Sequence, residues 1–155
     1  MYISTDLETV VDKMHHSLNH TSIRDIDLDM IALKMGFQVT YGGRYTFVDG
    51  AVMNIHHATW AEAFYAFAHE LCHLLMDKGL QWFFPDLYAE YTEMKSNLFA
   101  AYFCVPTFLL KQYALPRDMK QAAEIVADEF TVPYDVALKR VEQYRMRKYQ
   151  AMGLI

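Results

Sequence analysis

The sequence predicts an α+β fold: N-terminal helices, a small three-stranded antiparallel sheet, then a run of helices to the C-terminus. Three patterns carry that expectation. Turn dipeptides cluster at 42–43 and 49–50, apolar residues recur at helical spacing on either side, and two helices open with capping-box residues.

In chain order, Thr5 and Glu8 have capping-box spacing, and Leu7, Val10, Val11, Met14 and Leu18 follow at helical period. A second helix is expected from Leu28 to Met35, with Gly36 as its stop. Gly42-Gly43 and Asp49-Gly50 suit two-residue turns with positive φ, which predicts a meander of Gln38–Tyr41, Arg44–Val48 and Ala51–His56. Thr59 and Glu62 then cap a helix from Trp60 to about Asp77 that Gly79 can end. Another helix is expected over roughly Tyr88 to Val105, stopped by Pro106. Two more follow, about Asp118 to Phe130 and Tyr134 to Gln150, broken at Thr131-Val132-Pro133.

With 155 residues, 54% of them hydrophobic and 21% charged, the chain suits one domain with one core and excludes disorder. Eleven Tyr and ten Phe imply a core of bulky rings. Residues 1–110 hold 6 basic and 13 acidic side chains and residues 111–155 hold 8 and 6, so the body is acidic and the tail weakly basic. That balance argues against a phosphate-coating nucleic-acid binder. Cys72 and Cys104 lie in apolar runs and form no disulfide framework. The first residues carry Asp6, Glu8 and Asp12 and lack the apolar stretch of a signal peptide. The most apolar run, Leu98 to Leu110, is too short to span a bilayer. A cytoplasmic protein is expected.

The chemistry concentrates in His69-Glu70-Leu71-Cys72-His73. Two His four apart on a helix project from one face, one turn above the other, so both imidazoles can reach one zinc ion. Glu70 stands beside them as a base for a water molecule. The helix is apolar nearly all round, and ionisable groups on a buried helix need partners, which a metal supplies. A catalytic zinc takes a third protein ligand. The extended motif is absent, because Met76 and Gly79 stand where it has Gly and His. The next helix offers Glu90 and Glu93 instead. Glu93 is favoured, because Asn97 lies one turn along on the same face, where its amide can support a ligating His.

Ala68-His69-Glu70-Leu71-Cys72-His73-Leu74-Leu75, then Glu93-Met94-Lys95-Ser96-Asn97-Leu98-Phe99-Ala100-Ala101, then Val105-Pro106, resembles the ImmA/IrrE family of metallopeptidases. The likeness extends upstream to Ile31–Gly36 and downstream to Val126–Pro133. It implies a small zincin-like metallopeptidase domain over 1–155, with 118–150 as a helix–turn–helix-like tail. It also implies Zn2+ held by His69, His73 and Glu93, with Glu70 as the catalytic base. The implied partner is a helix–turn–helix repressor encoded on a phage or mobile element, whose cleavage relieves repression; no membrane or direct nucleic-acid partner is implied. Cys72 stands where the family usually has Gly and Ser96 where it has Ala, both small enough to keep close helix packing. The competing reading is a non-catalytic zinc-containing module that sequesters a repressor or antitoxin, and an intact Glu70 favours the enzyme.

Other residues have plainer readings. His56-His57 are expected as a polar pair ending the third strand, and His15, His16 and His20 as surface residues. Tyr88, Tyr91 and Tyr102 are expected in packing. Lys139, Arg140, Arg145, Arg147 and Lys148 are expected as a solvated helix face, which the family likeness turns into a surface for a partner protein.

Overall fold

A computed structural model describes Tyr2, residues 4–75 and residues 85–155, with side chains from position 90 in the second stretch. The end of the third helix, expected at Asp77–Gly79, and the side chain of Tyr88 lie outside these residues. The architecture is α+β. Its elements are α1 (Asp6–Ser17), a 3-10 turn (Ile23–Asp25), α2 (Leu28–Met35), β1 (Gln38–Tyr41), β2 (Phe47–Asp49), β3 (Val52–Ile55), α3 (Trp60–Leu75), α4 (Pro85–Cys104), α5 (Thr107–Leu110), α6 (Met119–Phe130) and α7 (Tyr134–Ala151). Two compact units divide the chain. One comprises Asp27–Ala100, the other Met1–Ile26 with Ala101–Ile155.

In the first unit, α2 starts where the Asp27 carboxylate accepts the Met30 amide, and ends on Gly36 at φ 83°. That left-handed cap suits a residue without Cβ. The sheet departs from the expected meander. Its order is β1-β3-β2, with β1 parallel to β3 (Gln38 opposite Val52) and β2 antiparallel to β3 (Asp49 opposite Val52).

The reason lies in residues 42–46. Gly42 and Gly43 both take positive φ, but Arg44, Tyr45 and Thr46 lie outside any strand, so this connection is too long for a two-residue hairpin. It steps past the end of β3 and delivers β2 to the far edge. Asn54 of β3 holds it there. Its amide nitrogen donates to Gly42 O (3.0 Å) and Tyr45 O (2.9 Å), while its oxygen accepts from Thr40 Oγ1 (2.8 Å). The Gly42 amide donates to Ile55 O, and the His56 ring bonds Gly43 O. The second expected turn is a hairpin, with Gly50 and Ala51 as its loop and φ 57° at Gly50.

Alternation along β3 buries Met53 and Ile55 and leaves Asn54 for the crossing segment. The strand packs against α3, whose Ala63, Phe64, Phe67, Ala68, Leu71 and Cys72 are buried. The capping box of α3 is present: Glu62 N donates to Thr59 Oγ1, and Thr59 N donates to Glu62 Oε2.

The second unit is helical. The Thr5–Glu8 capping box opens α1, but the buried face of that helix is Glu8, Val11 and His15, with Val10 exposed. Glu8 is held by side chains from three other parts of the unit. Tyr2 OH and Thr107 Oγ1 donate to its Oε1 at 2.5 and 2.7 Å, and Arg140 Nη2 lies 3.2 Å away. Arg140 is fully buried and also donates to Val105 O and Thr107 Oγ1. It therefore does not belong to the solvated basic face expected for α7, which Lys139, Arg147 and Lys148 do join. Arg145 is half-buried, donating to the carbonyls of Pro116 and Arg117. The expected surface placement of His15 and His20 is also corrected. Both are buried, with their Nδ1 atoms 2.9 Å apart and His15 Nε2 bonded to Phe103 O, whereas His16 is exposed. A buried imidazole needs hydrogen-bond partners, and here each ring has the other.

Between α6 and α7 the chain turns at Thr131, in the left-handed region at φ 53°. The two helices pair through Ala122, Ala123, Val126 and Phe130 of α6 and Val136, Ala137 and Val141 of α7. Among the described residues no helix is long and apolar enough to cross a membrane.

Candidate metal centre

The site is built on two helices, by residues that all lie in the first unit. Along α3, Tyr65, His69 and His73 follow one another at intervals of four, so they stack on one face. On α4, Glu93 and Asn97 do the same. His69 Nε2 and His73 Nε2 lie 3.1 Å apart. The Glu93 carboxylate closes the triangle, with Oε2 at 3.4 Å from His69 Nε2 and Oε1 at 3.1 Å from His73 Nε2. Among the described residues these three side chains form a cluster able to hold a metal ion.

The donor set fits zinc. In a tetrahedral zinc centre with ligand distances of about 2.0–2.1 Å, neighbouring ligand atoms stand about 3.3 Å apart. The three separations here straddle that value. The tautomer fits as well. Asn97 Oδ1 lies 3.1 Å from His69 Nδ1, so a His69 that binds metal through Nε2 can donate its Nδ1 proton to that oxygen. Lone pairs and a carboxylate facing one point require a cation or protons between them.

Access is graded across the site. The side chains of His69 and His73 are 17% and 28% exposed, and that of Glu93 is 59% exposed. Glu70 follows His69 on α3 and is half-buried. Glu90 is exposed and takes no part in the cluster, so of the two acidic candidates on α4 the structure brings Glu93 to the histidines.

Cys72 and Ser96 are both buried, as small residues at a close helix approach require. Burial pushes the Cys72 thiol above its ordinary pKa. A thiol held protonated is a poor nucleophile and a poor target for oxidation.

The remaining residues singled out by sequence lie elsewhere. His56 is exposed and clasps the crossing loop through Gly43 O. The half-buried His57 ring stands edge-on to Tyr41, 6.0 Å between centroids. Tyr91 is exposed, accepts from Lys95 Nζ and lies outside the cluster. Tyr102 is buried in the other unit, beneath the Arg140 guanidinium. Sequence reasoning missed Tyr65, whose hydroxyl lies 3.2 Å from Asn97 Oδ1. Its signal was its place one helical turn before His69.

A mixed sheet packed on a His-Glu-x-x-His helix, with a carboxylate and an amide supplied by the next long helix, is the arrangement of a metallopeptidase-type domain. The chain belongs to the Peptidase_M78 family, described as the IrrE N-terminal-like domain, whose model matches residues 24–142. It is 33% identical over 152 residues to the phage-like element PBSX protein XkdA of Bacillus subtilis (strain 168), covering 92% of this chain and 74% of that protein. It is 28% identical over 148 residues to the uncharacterized protein YqaB of the same organism, covering 92% of this chain and 86% of the relative. No solved structure matches the chain.

Proposed function

We propose that this protein is a zinc-dependent endopeptidase that hydrolyses a peptide bond in a protein substrate, a helix–turn–helix transcriptional repressor, and so relieves repression. One observation carries the reading: two imidazole nitrogens and a carboxylate converge within 3.4 Å of one another, beside a glutamate that the ligand set leaves unused. A purely structural zinc site takes four protein ligands and has no use for such a base.

His69, His73 and Glu93 hold the ion, and Asn97 fixes the His69 ring through Nδ1. Bound zinc supplies Lewis acidity towards a water molecule and the scissile carbonyl. Glu70 accepts the proton of the attacking water as the C–O bond forms. It then delivers that proton to the amide nitrogen as the C–N bond breaks. An extended substrate segment pairs with an edge of the sheet, β1 and β2 being its two edges.

Family membership supports a protein substrate, and the name of the PBSX relative supports a phage or mobile-element setting, in which we take that protein to be a repressor. We place the reaction in the cytoplasm, where such repressors act. Residues 1–155 work as one metallopeptidase domain, with 118–150 as a tail that meets the partner protein. Glu70→Gln tests the proposal. The variant should keep its zinc and its circular dichroism while cleavage of a co-expressed repressor falls by about 10² to 10⁴. If Glu70→Gln relieves repression as well as wild type, the domain acts by sequestration and the peptidase reading is wrong.

A further inference from the structure

The Tyr65 hydroxyl belongs to neither the zinc ligands nor the catalytic base, yet it reaches the metal centre through one intermediate. It lies 3.2 Å from Asn97 Oδ1 and 3.4 Å from the backbone oxygen of the same residue. Asn97 Oδ1 in turn lies 3.1 Å from His69 Nδ1. Because His69 must keep its Nε2 lone pair for the ion, Asn97 must present oxygen rather than NH2 towards Nδ1. With that amide orientation, both Asn97 atoms facing Tyr65 are acceptors, so towards Asn97 the hydroxyl donates.

We infer that Tyr65 is a positioning residue for the metal centre, holding the Asn97 amide so that Asn97 holds the His69 ring; the inference rests on the zinc reading above. An amide oxygen has two lone pairs, and here His69 Nδ1–H and Tyr65 O–H take one each. Two donors from successive turns of α3 clamp one side chain of α4. A single donor leaves that side chain free to swing about its χ angles. Tyr65 and His69 are four residues apart, so a rigid helix sets the distance between the two donors at one turn. The hydroxyl therefore does not touch the ion; it restricts where the ligand's own support can sit. Loss of such outer support typically lowers metal affinity by about 10- to 100-fold when the direct partner is removed. Tyr65 acts one step further out, so its removal should cost about 3- to 10-fold.

The test is a double-mutant cycle read as zinc affinity, by competition against a chromophoric chelator, with Tyr65→Phe, Asn97→Ala and the double variant. Zinc affinity needs no substrate and is independent of cleavage. Thermal midpoints of the metal-free proteins show that each variant is folded. The expected result is weaker zinc binding in Tyr65→Phe and no further loss when Tyr65→Phe is added to Asn97→Ala. Unchanged affinity in Tyr65→Phe overturns the inference alone. So does an equal loss in both backgrounds, since Tyr65 would then act on packing and not through Asn97. Absence of zinc binding by the wild-type protein overturns the metal reading of the site, and this inference with it.

Discussion

His15 and His20 bring their Nδ1 atoms to 2.9 Å inside the helical unit, a contact that only one proton can occupy. His15 Nε2–H donates to Phe103 O, so His15 Nδ1 is bare and His20 Nδ1–H must donate to it. Burial, with repulsion from His20 next in weight, pushes His15 down from 6.5 to about 4.

The sign of the pH dependence follows. An unfolded His15 takes up a proton near its ordinary value and the folded one does not. Stability is therefore intact above about pH 6.5 and falls as the pH drops towards 4, by about 2 kcal/mol between pH 7 and pH 5. Urea midpoints across that range should show the decline. His15→Gln, which keeps a donor for Phe103 O, should flatten it. An unchanged slope in that variant would assign the decline to other groups.

Glu8 and Arg140 should behave as one unit in stability. Burial alone would raise the Glu8 pKa, but hydrogen bonds from the Thr5 amide, Tyr2 and Thr107, together with the Arg140 charge, hold it below its ordinary value. Arg140→Ala leaves that carboxylate buried without its counter-charge and should cost about 3–5 kcal/mol. Arg140→Met combined with Glu8→Leu should cost less than the two single changes together, because no charge is stranded. Chemical denaturation of the singles and the double measures the difference, and simple additivity would contradict the pairing.

The two glutamates of α4 should separate cleanly. Glu93→Ala removes one of three clustered donors and should strip zinc from the protein during dialysis against a chelator, whereas Glu90→Ala should retain it. Elemental analysis after dialysis reads the result. Full retention of zinc by Glu93→Ala would overturn the ligand assignment.

What could be read from the sequence is what depends on short spacing. The stop of α2 at Gly36, and the capping boxes of α1 and α3, involve partners within five residues of one another. The pairing of His69 with His73, and of Glu93 with Asn97, rests on the four-residue helical repeat. Most of what was misjudged depends on distant partners, although His15 and His20, five positions apart, also pair with one another. His15 bonds Phe103, 88 positions away, and Arg140 meets Glu8, 132 positions away. Charged and imidazole side chains are exposed by default, and only knowledge of those partners reverses the expectation. The Gly42-Gly43 turn misled for the same reason. Nothing local to it reveals that Asn54 will hold the following segment on the far side of β3.

The β1-β3-β2 order also bears on how the sheet assembles. β2 and β3 meet across a two-residue loop, whereas Gln38 must find Val52 across 14 positions. Closing the longer loop costs more entropy, and parallel pairing repays slightly less per residue. The hairpin is therefore expected to form first and β1 to pair later, docking with α2 onto it. The route back should run in reverse. When the protein opens below its global unfolding threshold, α2 and β1 detach together, while β2, β3 and the helix packed on them persist.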